Sequence, residues 1–186
     1  MTIDLGTGDG RLPFRSALHE PERLFLGIDA NAAGPRELSN RAFRSHMRNL
    51  LYVRAALEDL PEELAGLADR VSVVLPWGSL LGAVARPCVS LLVGIRALCQ
   101  TSAKLTVVFA LDPDRYRSEA ERLGLVPPVG GDLRSHLAPG YREAGFRIRW
   151  VRVLPQAELE RWSSTWARRL ARGRSRSLWE LEATAD

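Results

Sequence analysis

The sequence predicts an α/β protein whose seven-stranded, mostly parallel sheet carries helices on both faces. Three observations carry that prediction. Seven short β-rich runs alternate along the chain with segments whose apolar residues recur at helical spacing, and such alternation builds largely parallel sheets covered on both sides. A loop with three glycines follows the first run directly, the position at which a doubly wound sheet receives its ligand. Composition is that of a globular protein: of 186 residues, 46% are apolar and 26% charged, enough for a full core. Residues 1–186 are therefore read as a single domain.

Taken in order, "TIDLG", "RLFLGIDA", "LLYVRA", "VSVVLPW", "KLTVVFAL", "FRIRWVRVL" and "SLWELEAT" are the seven strands. Between the second and third, "RELSNRAFRSHMRNLL" places Leu38, Ala42 and Phe43 at helical spacing. After the third, "LEDLPEELAGLA" does the same with Leu60, Leu64 and Leu67. Pro87 is expected to open the fourth crossover helix at its first turn, where its missing N–H costs nothing. The stretch containing "VPPVGG" and "APGYREAGF" reads as loops and short helices, with the region from Pro113 to Pro139 the loosest. A helix from about Ala157 to Arg172 is expected between strands six and seven.

Composition also excludes classes. No apolar run approaches the ~20 residues of a membrane helix; the most apolar segment, Cys88 to Leu98, is short and contains Arg96. The N-terminus shows no charged region followed by an apolar one, so no secretory signal is expected. Cys88 and Cys99 lack metal-ligand spacing and read as reduced, buried thiols. A soluble, cytoplasmic protein without a metal is expected. The net charge of +4 favours an anionic partner. Lys104 is the sole lysine, so nearly all the positive charge is arginine.

In "DLGTGDG", Asp4, Gly6, Gly8 and Gly10 follow the first strand. Glycines there let the backbone turn tightly and approach a ligand closely; a purely steric turn would show the same residues. Asp29, at the tip of the second strand in "LGIDA", stands where an acid accepts hydrogen bonds from a ribose. The third glycine falls one residue short of the dinucleotide GxGxxG pattern, because Arg11 follows Gly10. The loop instead resembles the S-adenosylmethionine loop of class I methyltransferases, and a seven-strand count agrees with that Rossmann-like fold. The resemblance implies that Leu57 and Glu58 in "AALEDLP" grip an adenine ring, Leu57 by packing and Glu58 by accepting its amino group. A solvated acid at a helix start would equally explain Glu58.

Strand four runs into Leu75-Pro76-Trp77-Gly78. Ligands meet the carboxyl ends of parallel strands, which would set Trp77 over the donor pocket; an ordinary core tryptophan is the alternative. Enzymes that methylate exocyclic amines usually carry a polar residue ahead of such a Pro-aromatic pair. Leu75 offers none, and a ring nitrogen, with its lone pair in plane and no proton to lose, suits this sequence better. In "SSTWARRLARGRSR", Trp166 lies beside Arg168, Arg169, Arg172, Arg174 and Arg176, with no acid among them. Such a patch suits phosphates and stacked bases, though charge runs are often merely solvated faces. Arg41, Arg44 and Arg48 form a second stripe at i, i+3 and i+7.

Together, "DLGTGDGR", "NLLYVRAALEDLP", "LPWGSLL" and "SSTWARRLARGRSR" resemble the aminoglycoside-resistance methyltransferases that modify N1 of adenine-1408 in the 16S rRNA decoding site. The resemblance spans nearly the whole chain. It implies a flipped adenine held between Trp77 and Trp166 with support from Ser164. It implies S-adenosylmethionine as cosubstrate, with Pro76 and Ser79 beside it, and rRNA phosphate contacts from Arg169, Arg174 and Arg176. The implied partner is the 30S subunit, met by a monomer. Members of that family carry an N-terminal extension of some tens of residues, whereas only Met1, Thr2 and Ile3 precede Asp4 here; that element is expected to be missing or to begin upstream. A methyltransferase for another RNA adenine, or a weakly active or inactive relative that binds RNA or cosubstrate, are the alternatives.

Overall fold

A computed structural model describes residues 1–110, 132–172 and 177–186. Its seven strands are β1 (Thr2–Leu5), β2 (Phe25–Asp29), β3 (Leu50–Arg54), β4 (Ala68–Val74), β5 (Cys99–Ala110), β6 (Phe146–Val153) and β7 (Leu178–Ala185), joined in one sheet of order β3-β2-β1-β4-β5-β7-β6. The first five are mutually parallel, and β7 runs antiparallel to both β5 and β6. The chain reverses its direction of travel across the sheet between β1 and β4, so their carboxyl ends form the crevice where such sheets bind ligands.

Alternation along the strands sorts the residues onto two faces. Ile3, Leu5, Val71, Val73, Leu105, Val107, Phe109, Leu181 and Ala183 are buried on one face. Against them pack α3 (Gly78–Ala85), α4 (Val89–Leu98) and α5 (Leu133–Glu143). On the other face α1 (Arg11–His19) and α2 (Arg36–Arg44) cover β2 and β3 through Phe14, Ala17, Phe25, Ala42 and Leu50. Helices thus lie on both faces, but unevenly. Farther along that second face, Arg70, Ser72, Lys104 and Thr106 line open clefts beside α1. A third cluster joins the carboxyl end of β5 and the start of β7 to α6 (Thr165–Ala171) through Val108, Leu178, Ala167 and Leu170.

Several expectations need correction. "LEDLPEELAGLA" forms two 3₁₀ turns, Leu57–Asp59 and Glu62–Leu64, rather than an α-helix. Leu60 is extended at φ −79°, ψ 137°, as a residue before proline prefers, and Gly66 turns the chain at φ +66°. Pro87 does not open α4. It lies in the break between α3 and α4, whose axes bend by 97°, because Arg86 ahead of it is extended. Residues 113–131 of the expected Pro113–Pro139 loop lie outside the described residues. Its end, however, is helical: "APGY" sits inside α5 with Pro139 in mid-helix. A β-carbon at Gly140 would strike Pro87, and the buried Tyr141 hydroxyl donates to the Val84 carbonyl at 3.0 Å. Packing against α3 and Pro87 therefore overrides the local preference of Pro-Gly for a turn. Among the described residues, no single helix is long and apolar enough to cross a membrane.

Candidate active site

At the carboxyl end of β1 the loop Gly6–Gly10 is held to the neighbouring strand. The Ile28 carbonyl accepts the Gly6 and Thr7 amides at 2.8 and 3.0 Å. Asp29 Oδ2 accepts the Gly8 N–H at 2.8 Å, and Oδ1 accepts that of Asn31, also at 2.8 Å. Gly8 has φ +56° with open space where a β-carbon would stand, so the backbone turns there and leaves room above. The next loop closes in from the side, since a β-carbon on Gly34 would run into the Gly8 carbonyl.

Asp4 does not reach the cavity. Its carboxylate is buried beneath the loop and accepts the Thr7 and Ser72 hydroxyls, each at 2.7 Å. Burial pushes its pKa up from the ordinary 3.8 to about 6, against the lowering effect of those two hydroxyls. Gly10 is likewise a structural residue, at φ +72° ahead of α1. Tyr52 crowds it and donates to its carbonyl at 2.6 Å. Both were expected to touch the cofactor; here they shape the loop that does the lining.

Strand four ends at Val74, three residues before the end expected for it. Leu75 adopts φ +53° while its N–H bonds the Val108 carbonyl at 2.7 Å. That left-handed turn, costly for a branched residue by roughly 1–2 kcal/mol, redirects the chain so that Pro76 is buried and Trp77 stands 47% exposed at the head of α3.

The expected helix from Ala157 to Arg172 is broken in two. A 3₁₀ segment covers Gln156–Trp162, Ser163 takes φ +51°, and α6 begins at Thr165. Ser164 Oγ accepts the Ala167 N–H at 2.9 Å, an N-cap that starts a new helix in place of a continuous one. Gln156 Nε2 donates to the Leu170 carbonyl at 2.7 Å at the other end. The 3₁₀ segment is tied to the sheet by a buried carboxylate: Glu180 is 4% exposed and pairs with Arg152 at 2.6 Å and with Arg161. This pinning delivers Trp166 to the same rim as Trp77.

The two indole rings meet at a centroid distance of 6.0 Å with planes tilted by 58°. Beneath them lies a cavity of about 480 Å³ at the β1/β4 crevice, within the range of roughly 300–1,000 Å³ for small-molecule sites. Of the expected residues, Gly6, Gly8, Asp29, Leu57, Glu58, Pro76, Trp77, Ser79, Ser164, Trp166 and Arg169 line it. Leu57 offers an apolar wall that is 8% exposed, while Asp29 and Glu58 add carboxylates, hydrogen-bond acceptors suited to a cationic nucleoside. Arg41 and Arg44 lie elsewhere, in the last turn of α2, and Arg48 follows the helix end, so the second stripe stops at Arg44. Arg174 and Arg176 lie outside the described residues. Sequence reasoning missed Thr7, Asp9 and Thr165, which also line the cavity. Asp9 stood in plain view between two loop glycines, but nothing local signals its partner 156 residues away.

A sheet of this strand order, with its ligand cavity at the switch point between β1 and β4, is the class I methyltransferase fold. The chain belongs to the 16S rRNA (adenine(1408)-N(1))-methyltransferase family, whose model, NpmA, matches residues 1–185. It is 34% identical over 181 residues to the 16S rRNA (adenine(1408)-N(1))-methyltransferase of Streptoalloteichus tenebrarius, covering 95% of this chain and 82% of that one. It superposes on the crystal structure of the 16S rRNA methyltransferase KamB with a TM-score of 0.88 at 32% identity, over 100% of this chain and 87% of that one. A third relative is the 16S rRNA (adenine(1408)-N(1))-methyltransferase of Catenulisporales acidiphilia, solved as a tryptophan-to-alanine mutant with cosubstrate SAM. Its TM-score is 0.85 at 32% identity, over 99% and 84% of the two chains.

Proposed function

We propose that this enzyme transfers a methyl group from S-adenosylmethionine to N1 of adenine 1408 in 16S rRNA, conferring aminoglycoside resistance. It acts in the cytoplasm, as a monomer, on the assembled 30S subunit. The observation that carries this reading is the meeting of Trp77 and Trp166 at the mouth of one cavity. Two exposed indoles above a donor pocket are an arrangement for gripping a base outside its helix.

S-adenosylmethionine supplies the electrophilic methyl group. The protein's residues bind and orient. Asp29 presents lone pairs to a ribose while holding Gly8; Leu57 and Glu58 take an adenine ring; Gly6, Pro76 and Ser79 close the sides, with Asp4 and Gly10 supporting the loop from behind. Extruding a base costs a few kcal/mol, and stacking on Trp77 and Trp166 returns about 1–3 kcal/mol per base. Ser164 caps α6 through a lone pair, which leaves its hydroxyl proton for the base. Methylated N1 bears positive charge, which indole faces favour. No base is needed before transfer, so alignment supplies most of the rate. Arg169 at the rim, with Arg174 and Arg176, takes rRNA phosphates; Arg41, Arg44 and Arg48 serve a broad docking surface on the flank.

Primer extension on 30S subunits incubated with protein and S-adenosylmethionine tests the reading. A new stop at adenine 1408 is expected. A stop at another adenine, or none in a sample that binds cosubstrate, would overturn it.

A further inference from the structure

The short helix α6 is fastened at its start to the glycine loop. Asp9 Oδ2 accepts the backbone N–H of Thr165 at 2.9 Å, while Oδ1 accepts the Arg11 N–H at 3.1 Å and Arg11 Nε lies 3.4 Å from Oδ2. The first amides of a helix have no partner within it. Here Ser164 takes that of Ala167 and Asp9 takes that of Thr165, with a carboxylate on the favourable side of the helix dipole. A helix of seven residues is marginal alone, so its placement depends on such ties. Trp166 is the next residue. In the other direction Asp9 follows Gly8, whose N–H is held by Asp29. A continuous path therefore joins the tip of β2, through Gly8, Asp9 and Thr165, to Trp166.

We infer that Asp9 is a positioning residue for the base clamp: its carboxylate fastens α6, and with it Trp166, to the loop that lines the cosubstrate cavity. The inference rests on the methyltransferase reading above. It predicts that Asp9 governs turnover on the ribosomal subunit more than cosubstrate affinity.

Two variants remove the bond from opposite ends. Asp9→Ala deletes the acceptor. Thr165→Pro deletes the donor at a position where proline is favoured in helices, and Ser164, at φ −77°, ψ 154°, already has the conformation that precedes proline. A hydrogen bond to a charged group, partly exposed, corresponds to a loss on the order of tenfold. Each variant should lower kcat on 30S subunits by about that factor and leave the calorimetric Kd for S-adenosylmethionine within about threefold, and the double variant should be no worse than either single one. Hydrogen exchange over Thr165–Ala171 reads the tie without turnover and should quicken about tenfold in Asp9→Ala. Multiplying losses in the double variant, unchanged exchange, or a fall in affinity that matches the fall in kcat would overturn the inference. Wild-type protein that binds cosubstrate yet leaves subunits unmethylated, with the exchange effect intact, would defeat the functional reading and leave the fastening in place.

Discussion

Trp166→Ala removes one wall of the proposed clamp and leaves the glycine loop, Asp29 and Leu57 untouched. With centroids 6.0 Å apart and planes tilted by 58°, the rings touch each other and leave no slot for a purine. A sandwiched base needs about 3.5 Å on each side, hence about 7 Å between parallel planes. The rings must part by about 1 Å and turn. Their mutual contact, worth roughly 0.5–1.5 kcal/mol, is given up and replaced by two stacking contacts of about 1–3 kcal/mol each. Both rings are exposed, 47% and 36%, so each has room to swing. Deleting one stacking partner should therefore lower kcat/KM on 30S subunits by about fivefold to 150-fold. Trp166→Phe, which retains a smaller ring, should fall between wild type and alanine.

The assay is transfer of labelled methyl groups to 30S subunits under kcat/KM conditions, paired with calorimetry of cosubstrate binding. Affinity for S-adenosylmethionine should stay within about threefold of wild type. Unchanged kcat/KM in Trp166→Ala would refute the clamp. So would a lost affinity that accounts for all the lost activity, because Trp166 would then be a cover for the donor and not a wall for the base.

Asp29→Ala removes the acceptor for both Gly8 and Asn31 and should weaken cosubstrate binding by about tenfold or more; an unaltered calorimetric Kd would count against the ribose assignment. Asp4→Asn tests the buried carboxylate. Its pKa is raised to about 6, so between about pH 4 and 6 the folded state holds a proton that the unfolded state has lost, and wild-type stability falls as pH rises through that window. The asparagine variant should gain in Tm over wild type at pH 8 and lose that advantage near pH 4, whereas a difference independent of pH would contradict the burial argument. Arg169→Glu should weaken 30S binding and reduce the slope of log K against log salt by about one; a salt-insensitive loss would remove Arg169 from the phosphate surface.

The strands were legible because each carries its own alternation or apolar run, and "DLGTGDG", "LGIDA" and "LPWGSLL" were legible because each motif lies at the end of one strand. What stayed hidden depends on distant partners. The first residues of β5, Cys99 to Ala103, include polar Gln100, Thr101 and a left-handed Ser102, so no strand pattern shows there. The α5 helix runs through Pro139 and Gly140 because Pro87 and Val84 receive it, contacts made with residues more than fifty positions earlier. The Asp9–Thr165 bond, and the turning of Asp4 toward Ser72, could be read only once β1, β4 and α6 had been brought together.

The two failures nearest the site share a cause. Among the described residues four non-glycine positions have positive φ: His46, Leu75, Ser102 and Ser163. Leu75 precedes Trp77 by two positions and Ser163 precedes Trp166 by three. Local preference would extend β4 through Trp77 and run one helix from Ala157 to Arg172, with no left-handed turn ahead of either indole. Instead each arm spends roughly 1–2 kcal/mol on one left-handed residue, ending its element early and turning the next side chains onto a common rim. Such strain persists only where its surroundings hold it, and here the holders are identifiable: the Val108 carbonyl on the Leu75 amide, and the Ser164 cap with the Arg161–Glu180 pair around Ser163. Letting either residue relax to an ordinary negative φ should therefore stabilise the chain locally while misplacing its tryptophan. Ser163→Gly, which admits the same φ without steric cost, should keep methylation near the wild-type rate. Ser163→Val, which resists it, should lower kcat on 30S subunits with cosubstrate affinity preserved; equal rates for the two variants would show that the break at Ser163 has no part in setting the clamp.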